Sequence, residues 1–232
     1  MKQILKKPTV KYATSLLACS NDSAKWLYGK KANKALVINN AIEIDKFKFN
    51  EKDREKIRKE LNIDGFCLAF FGRFEYQKNT SFLIKFFDEL VKKIDAKLLI
   101  IGKGSDYKKM QNLINKFNLY DRVILLEPKK DIEKYYSAAD VFCLPSRFEG
   151  LPMVGVEALA NGMHLVCSNR VSKEMNIVKD YVHFIELNID LWVKKIIEIS
   201  KNYTRKETIE LEDYDIKNQA IKLERFYENL VH

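Results

Sequence analysis

The sequence predicts an α/β protein whose core is a doubly wound parallel sheet. Between residues 66 and 200, short apolar runs alternate with segments in which apolar residues recur at helical spacing. This order is typical of a parallel sheet that is covered by helices on both faces. The apolar runs carry few charges, as expected of strands that are buried on both sides. We predict strands at Cys67–Phe71, Lys97–Ile101, Val123–Leu126, Ala139–Pro145, His164–Ser168 and Tyr181–Leu187.

Helices are predicted where apolar residues repeat every three or four positions. In Glu51–Asn62, for example, Ile57 and Leu61 are four residues apart and share one face. Asp131 is in the position of a helix cap before Ile132–Ala138. The other predicted helices are Ser81–Ile94, Tyr107–Asn118, a segment from near Pro152 to Gly162, Leu191–Tyr203 and Tyr214–Leu230.

The first part of the chain predicts three further elements. A short helical pattern surrounds Lys11–Leu17, and a second helix ends at Tyr28 after the capping sequence Asn21-Asp22-Ser23. Residues Lys34–Ile38 have the composition of a strand.

Composition excludes several classes of protein. The chain has 232 residues, of which 47% are hydrophobic and 31% charged, as in soluble globular proteins. It has no apolar run of about 18 residues, and its first residues lack a signal-peptide core, so we expect a cytoplasmic protein. The cysteines Cys19, Cys67, Cys143 and Cys167 occur singly, which predicts small buried residues in a reducing compartment, not disulfides or a metal site.

The net charge of +9 is concentrated at the front, because residues 1–50 contain ten lysines and three acidic residues. A basic segment can contact nucleic acid or an anionic membrane surface. Solvated lysines explain the charge more simply, so we expect no nucleic-acid binding. Peripheral contact with the inner face of the membrane stays open.

The most informative stretch runs from Ser146 to Gly162. It leads from a predicted strand through a Gly- and Pro-containing turn into a helix, which is where open α/β sheets bind ligands. The helix N-terminus suits a phosphate. Glu149 and Glu157 would repel a phosphate but suit hydroxyl groups, so a sugar nucleotide satisfies both parts. The simpler alternative is a helix start that carries two surface acids.

A basic pair is predicted at the same edge of the sheet. Arg73 and Lys78 follow the strand Cys67–Phe71, and together they suit a diphosphate. Gly102 ends the next strand in a tight turn that lets the backbone approach a ligand. Lys129 follows Val123–Leu126 at the corresponding place.

Glu149 and Glu157 are separated by residues 150–156, and Glu-Gly-Leu-Pro begins this E-x7-E pattern. The pattern resembles the signature of retaining GT-B glycosyltransferases of the family-4 type. The resemblance implies a Rossmann-like donor-binding domain in which Glu149 approaches the donor sugar and Glu157 binds the ribose. It implies that Arg73 and Lys78 bind the pyrophosphate and stabilise the leaving group.

The resemblance also implies which residues share the donor site. The catalytic set would be Glu149, Arg73 and Lys78. The donor-binding set would be Arg73, Lys78, Gly102, Lys129, Glu149, Gly150, Leu151, Pro152 and Glu157. No metal and no cofactor are implied, and the donor is expected to be a UDP-sugar. Asn39 and Ala41 depart from the family's Pro and Gly in the interdomain stretch, and Glu127 stands in place of a glycine.

The resemblance predicts three regions in the chain. Residues 1–45 would be a remnant of the N-terminal acceptor domain and the linker, residues 46–204 the donor-binding domain, and residues 205–232 the C-terminal crossing helix. A partner chain or a second copy is expected to cover residues 1–45. His164 stands at the start of its strand, away from the ligand edge, and is interpreted as structural.

Three functions stay open on the sequence alone. The first is a hexosyl-type glycosyltransferase component, which transfers sugar to a glycan or lipid-linked acceptor in surface polysaccharide synthesis. The second is a sugar-nucleotide-binding subunit that is inactive without a partner supplying the acceptor domain. An epimerase on the same two-domain plan is a third alternative.

Overall fold

A computed structural model describes residues 10–206 and 209–231 of the chain. These residues divide into two compact units. The larger unit comprises residues 45–210, and the smaller one combines residues 1–44 with residues 211–232. The ligand edge predicted from the sequence lies entirely in the larger unit.

The larger unit is built on a six-stranded parallel sheet with the strand order β5-β4-β3-β6-β7-β8, which confirms the predicted doubly wound fold. From β3 the chain winds outward to β5, and it then returns to β6 and winds in the other direction. The order therefore reverses between β3 and β6, and an open α/β sheet binds ligands at such a reversal. The strands are β3 (Phe66–Phe71), β4 (Ala96–Ile101), β5 (Val123–Leu126), β6 (Val141–Leu144), β7 (His164–Ser168) and β8 (Val182–Ile185).

Helices cover the sheet because each has one apolar face. The helices of this unit are α2 (Ile44–Phe47, which begins at the boundary), α3 (Glu51–Glu60), α4 (Thr80–Val91), α5 (Tyr107–Lys116), α6 (Ile132–Ala138), α7 (Met153–Ala160) and α8 (Ile189–Lys201). Helix α4 packs against α5 and α8, and α6 packs against α3 and α7. The α4–α8 contact centres on Trp192, whose ring lies 5.3 Å from that of Phe82 and 5.4 Å from that of Phe86.

Two predicted helix caps differ in detail from the structure. Asn21, Asp22 and Ser23 were predicted to cap a helix, but they form its first turn, because the helix begins at Asn21. Its cap is Ser20, whose Oγ accepts from the backbone N–H of Ser23 at 3.0 Å. Asp131 precedes α6 but makes no capping hydrogen bond with its side chain. Its carboxylate pairs instead with Lys134 Nζ at 3.1 Å, since the ammonium competes with the backbone for the same oxygen atoms.

The smaller unit contains a two-stranded parallel sheet of β1 (Leu17–Ala18) and β2 (Leu36–Val37) together with α1 (Asn21–Tyr28) and α9 (Ile216–Val231). The predicted helix around Lys11–Leu17 is wrong beyond its first residues, because helical backbone ends at residue 12 and Leu17 lies in β1. Pairing with β2 overrides the local helical pattern: the N–H of Leu36 donates to Leu16 O at 2.9 Å.

The expectation that all four cysteines are buried is wrong for one of them. Cys67, Cys143 and Cys167 are buried, but Cys19 is exposed. Within residues 10–206 and 209–231, no cluster of three or more His, Cys, Asp or Glu side chains is arranged to hold a metal ion. None of the helices described there combines the length and apolar character that crossing a bilayer demands.

Candidate functional site

A cleft of about 330 Å³ lies at the carboxyl ends of β3, β4 and β5 and is bordered by α6 and α7. This volume falls in the range of small-molecule sites. The cleft brings together four residues predicted from the sequence, namely Arg73, Gly102, Lys129 and Glu157. Its remaining lining consists of Phe71, Gly72, Ile101, Lys103, Pro128, Ile132, Tyr136 and Val154.

Two strand ends meet tightly at the floor of the cleft. Gly102 has φ +157°, and a Cβ atom at this position would lie 1.9 Å from the carbonyl oxygen of Gly72. Only glycine therefore lets β3 and β4 end side by side here. The close approach is between the ends of β3 and β4, and the backbone of Gly72 and Gly102 borders the cleft.

Glu157 is held at the cleft by a residue that sequence analysis did not single out. The hydroxyl group of Tyr136 donates to Glu157 Oε2 at 2.6 Å. The Tyr136 side chain is itself fixed, because its ring packs edge-on against Phe71 at 4.7 Å and stacks near Phe142 at 5.6 Å. Glu157 is thus a positioned hydrogen-bond acceptor, as the binding of a polyol requires.

Burial dominates the electrostatics of this carboxyl group. It raises the pKa of Glu157 above its ordinary value, while the hydrogen bond from Tyr136 acts in the opposite direction. Burial also raises the pKa of the Tyr136 hydroxyl well above its usual range, and the nearby Glu157 adds to this effect. The Tyr136 hydroxyl is therefore a permanent donor at neutral pH.

Cationic side chains also line the cleft. Arg73, Lys103 and Lys129 all border it. The Arg73 side chain is largely exposed, and its guanidinium lies 3.2 Å from the carboxylate of Glu75. An exposed guanidinium can turn toward an anionic ligand at little cost, because a surface ion pair of this kind is worth only about 0–1 kcal/mol.

Lys78 and Glu149 form a second cluster outside the cleft wall. The Nζ atom of Lys78 lies 2.6 Å from Glu149 Oε1, and the two side chains are only 13% and 10% exposed. The hydroxyl group of Ser146 also donates to Glu149 Oε1, at 3.0 Å. Since the Glu149 side chain is only partly exposed and is paired with Lys78, it is not a solvated surface acid, so this alternative from the sequence is wrong for Glu149.

Ser146 is held in turn by the neighbouring strand end. It is fully buried, and its carbonyl oxygen accepts from the hydroxyl group of Ser168 at the end of β7. The backbone of Glu149 also pairs with the segment after β7, because the N–H of Ser172 donates to Glu149 O at 3.0 Å. Adjacent parallel strands β6 and β7 therefore fix the position of Glu149.

The turn Gly150–Leu151–Pro152 connects Glu149 to α7, whose Val154 and Glu157 line the cleft. Gly150 is exposed and Leu151 is partly buried. Pro152 has no N–H to offer a phosphate, and its carbonyl oxygen accepts from the N–H of Gly155 at 2.9 Å. Pro152 therefore shapes the turn before α7, and its place in the donor site stays a prediction.

His164 lies at the amino end of β7, remote in the strand direction from the carboxyl edge. Its ring stacks on Tyr181 with the centroids 4.3 Å apart, and its Nδ1 lies 3.0 Å from Nε2 of His183. Burial lowers the pKa of His164 to about 4, with the charge of His183 as the second cause. Both the location and the packing agree with a structural histidine.

Sequence reasoning missed several residues of the site. Tyr136 occurs in a helix at a position that any core tyrosine could occupy, and no local pattern marks it. Ser146 lies two residues after β6 and Ser168 is the last residue of β7, and a hydroxyl at the carboxyl end of a strand is a signal that could have been used. Lys103 lies between Gly102 and Gly104 and could have been found from the same turn.

The family of the chain follows from comparison with known proteins. The family model described as glycosyl transferases group 1 matches residues 53–218. The chain belongs to this family. The match contains both clusters of the site, from Arg73 to Glu157, and agrees with the resemblance that the E-x7-E pattern carries.

Relatives in this family cover most of the chain. It is 27% identical over 228 residues to EpsF of Bacillus subtilis (strain 168), whose glycosyltransferase activity is itself provisional; the alignment covers 93% of this chain and 59% of EpsF. It is 30% identical over 179 residues to the UDP-Gal:alpha-D-GlcNAc-diphosphoundecaprenol alpha-1,3-galactosyltransferase of Escherichia coli. This alignment covers 72% of this chain and 45% of the E. coli enzyme. The chain spans about half the length of these curated relatives.

The fold is shared with solved GT-B glycosyltransferases. The structure of Alr3699/HepE from Anabaena, which was determined in complex with UDP and glucose, superimposes with a TM-score of 0.81 at 20% identity. The superposition covers 98% of this chain and 66% of HepE. At this identity the likeness concerns the fold.

Proposed function

We propose that this group 1 glycosyltransferase chain binds a nucleotide-diphosphate sugar and contributes to its transfer, with retention at the anomeric carbon, to a glycan or lipid-linked acceptor. One observation carries the proposal. Arg73, Lys129 and Glu157 border a single cleft at the reversal point of the sheet, and the Lys78–Glu149 pair joins the segments that follow β3 and β6. Cations for a diphosphate and acids for hydroxyl groups thus share one edge.

The nucleoside part of the donor fits the described cleft. Its walls include Ile101, Pro128 and Ile132, which offer apolar surface to a base. Glu157 at the other side would accept hydrogen bonds from the ribose hydroxyl groups, with Tyr136 holding the carboxylate in place. A UDP-sugar is the proposed donor, since HepE was solved with UDP and glucose and the name of the E. coli relative includes UDP-Gal.

The diphosphate and the sugar fit the second part of the site. Arg73, Lys129 and Lys78 would neutralise the diphosphate as the bond between the anomeric carbon and the phosphate oxygen breaks. Stabilisation of such developing charge is worth several kcal/mol in comparable sites, about 3–4 kcal/mol for one donor group. These cations would supply the charge for which other transferases use a metal ion, so we propose that no metal is required.

Glu149 is the proposed partner of the donor sugar. In the structure its carboxylate is occupied by Lys78 and Ser146. Arrival of the diphosphate would give Lys78 a second anion, and Glu149 would then be free to accept from a sugar hydroxyl group. The proposed acceptor class follows from relatives, because the name of the E. coli enzyme contains a diphosphoundecaprenol-linked sugar. Hexosyl transfer in surface polysaccharide synthesis is proposed on the same basis.

A second candidate is a donor-binding subunit that turns over only with a partner chain. The smaller unit supports it, because exposed apolar residues of α9, among them Ile221 and Leu230, lie uncovered on that unit. The partner would be a chain carrying the acceptor domain, and contact with the inner membrane surface would bring both to a lipid-linked acceptor.

The experiment is a donor-hydrolysis and transfer assay on the purified chain. UDP-glucose, UDP-galactose and their N-acetylated counterparts are supplied with and without an undecaprenyl-diphosphate sugar, after a thermal-shift screen of the same nucleotides. Stabilisation by UDP-sugars with turnover by the chain alone supports the first candidate, and stabilisation without turnover supports the second. A chain that no UDP-sugar stabilises would refute both.

A further inference from the structure

The Glu149 carboxylate is held through one of its two oxygen atoms. Its Oε1 atom accepts from the hydroxyl group of Ser146 at 3.0 Å, and the same atom lies 2.6 Å from Nζ of Lys78. Neither of these contacts is made by Oε2. The Glu149 side chain keeps about a tenth of its surface exposed, so the carboxylate is not sealed off from a ligand. Oε2 is therefore the oxygen atom that is left for the donor sugar.

Ser146 is a fixed anchor for this carboxylate. It is fully buried two residues after β6, and its carbonyl oxygen accepts from the hydroxyl group of Ser168, which is also fully buried at the end of β7. The next residue is bonded too, because the N–H of Arg147 donates to Gln77 O at 2.8 Å. A buried hydroxyl group cannot exchange its partner for water, so it stays bonded to the carboxylate.

Lys78 and Ser146 should respond differently to the proposed donor. The ammonium group of Lys78 is a mobile positive charge, and a diphosphate carries more negative charge than a single carboxylate, so the ligand draws Lys78 away. Ser146 is neutral and enclosed, and the ligand offers it no competing acceptor. Glu149 thus keeps one of its two contacts at the moment when it must accept from the sugar.

We propose that Ser146 is a positioning residue for the donor sugar, because it holds Oε1 of Glu149 and keeps Oε2 available after Lys78 has turned to the diphosphate. A carboxylate anchored at one oxygen atom has lost much of its rotational freedom before the sugar arrives, which favours binding. Ser168 supports Ser146 through its carbonyl group. The inference rests on the proposed function and adds the residue that orients its sugar-binding acid.

The test compares UDP with UDP-sugars, because only the sugar depends on the orientation of Glu149. Calorimetry on the wild-type chain and on Ser146→Ala gives the dissociation constants of UDP, UDP-glucose, UDP-galactose and the two N-acetylated counterparts. We expect the affinity for UDP to stay within twofold. The affinity for the UDP-sugar that the wild-type chain binds most tightly should fall at least fivefold. Equal changes for UDP and this UDP-sugar would overturn the inference, because a serine that only stabilises the fold does not distinguish them.

A double-variant cycle tests whether Ser146 acts through Glu149. In the Glu149→Ala background the carboxylate is absent, so adding Ser146→Ala should change the affinity for the same UDP-sugar by less than twofold. A further fivefold loss in that background would show that Ser146 acts by another route, and it would also overturn the inference.

The matched control is Ser20→Ala. Ser20 is likewise a buried serine, and its hydroxyl group bonds to Ser23 in the smaller unit. Ser20→Ala should lower the melting temperature, but it should leave the ratio of the affinities for UDP and the UDP-sugar within twofold of the wild-type ratio. A change of fivefold in this control would overturn the inference, since loss of any buried hydroxyl group would then have the same effect.

Failure of this inference and failure of the proposed function give different results. A chain that binds neither UDP nor any of the four UDP-sugars refutes the donor site and the inference together. A chain that binds UDP but no UDP-sugar refutes the contact of Glu149 with the sugar, and thereby the inference, while nucleotide binding stands. A chain that binds both, with a UDP-sugar affinity that survives Ser146→Ala, refutes the inference alone.

Discussion

The Nζ atom of Lys78 lies 2.6 Å from Oε1 of Glu149, although the two residues are 71 positions apart in sequence and follow different strands. The strands β3 and β6 are neighbours in the sheet, so their carboxyl ends bring the charges together at the reversal point. The pair neutralises two largely buried charges. The donor proposed above would have to replace this contact to reach Lys78 with its diphosphate and Glu149 with its sugar.

Loss of one partner of this pair should destabilise the fold. Lys78→Met leaves the Glu149 carboxylate buried with Ser146 as its remaining side-chain partner, and we expect a loss of about 2 kcal/mol in the free energy of unfolding. The combined variant Lys78→Met/Glu149→Gln should recover at least half of that loss, because no uncompensated charge remains. Urea denaturation of the wild-type protein, Lys78→Met, Glu149→Gln and the double variant gives the coupling energy. Additive effects would show that the contact does not contribute.

Arg73→Ala should weaken binding of UDP more than binding of uridine. The guanidinium can form paired, charge-assisted hydrogen bonds with a diphosphate, which uridine lacks. We expect about a tenfold loss for UDP, equivalent to about 1.4 kcal/mol, and less than a twofold change for uridine. Calorimetry with both ligands measures this difference, and Lys194→Ala, an exposed lysine on α8, is the control for net charge. Equal losses for UDP and uridine would rule out the diphosphate contact.

Glu157→Gln should stabilise the free protein and weaken its binding of uridine. Burial raises the pKa of Glu157, so the charged form is less favourable in the folded than in the unfolded chain. The buried charge of Glu157 does not destabilise the fold at a pH below the pKa of the unfolded chain, and it destabilises the fold fully at a pH above the pKa of the folded chain. The wild-type protein is therefore destabilised by this charge at pH 7. We expect the melting temperature to rise by about 2–4 °C at pH 7, for a gain near 1 kcal/mol.

The pH dependence of this variant provides its control. The difference in stability between Glu157→Gln and the wild-type protein should shrink as the pH falls through the raised pKa of the folded carboxyl group toward its ordinary pKa of 4.5. Affinity for uridine should fall about tenfold, because a neutral amide is a weaker acceptor for ribose hydroxyl groups than a carboxylate. A variant that is less stable at pH 7 would contradict the electrostatic explanation.

His164 should make the fold sensitive to mild acid. Its pKa is lowered to about 4 in the folded chain, against 6.5 for an unperturbed histidine. Between these values the unfolded chain binds a proton that the folded chain does not, so stability decreases as the pH falls from 6.5 toward 4. The slope from this one group approaches about 1.4 kcal/mol per pH unit.

His164→Asn tests this assignment, with urea denaturation measured between pH 5 and 6.5 to stay clear of most carboxyl groups. The slope of the unfolding free energy against pH should become shallower. It should not vanish, because burial also lowers the pKa of His183. An unchanged slope would assign the acid sensitivity to other groups.

Gly102→Ala should be one of the most damaging single-methyl additions in the molecule. The new Cβ would lie 1.9 Å from the carbonyl oxygen of Gly72, and φ of +157° is itself unfavourable for alanine. We expect a loss of about 3 kcal/mol or more, or failure to fold. Gly150→Ala is the matched control, since no atom lies within 4 Å of its added Cβ. Its stability should change by less than about 0.5 kcal/mol, because it is an exposed turn position. Similar melting temperatures for both variants would disprove the close approach.

The alternation of apolar runs and amphipathic segments predicted all six strands of the sheet, with boundaries that shift by a few residues. This succeeded because strands buried on both faces must be apolar throughout, whatever surrounds them. The front of the chain was predicted less well. The segment Lys11–Leu17 has a helical pattern, but pairing of Leu17 with Leu36 places its end in a strand. A contact between residues so far apart in sequence has no local signature.

The candidate site was also predicted only in part from the sequence. Arg73, Lys78, Glu149 and Glu157 were recognised from their spacing and from their positions after predicted strands or in the following helix. That Arg73 and Glu157 share one cleft, while Lys78 and Glu149 pair beside it, depends on which strands are neighbours. The hydroxyl group of Tyr136 was not predicted, because its role depends on the distance to a residue on another helix.

The sequence by itself determined the α/β class, the family and the kinds of chemical group at the ligand edge, because these depend on local periodicity and on short motifs. Only the tertiary structure determined which polar and charged side chains are in contact. The strand order β3-β6-β7 places Lys78 and Ser146 on Glu149, and packing of α6 against α7 places Tyr136 on Glu157. Pairing and packing act between residues distant along the chain, and electrostatic and hydrogen-bond energies depend on those distances.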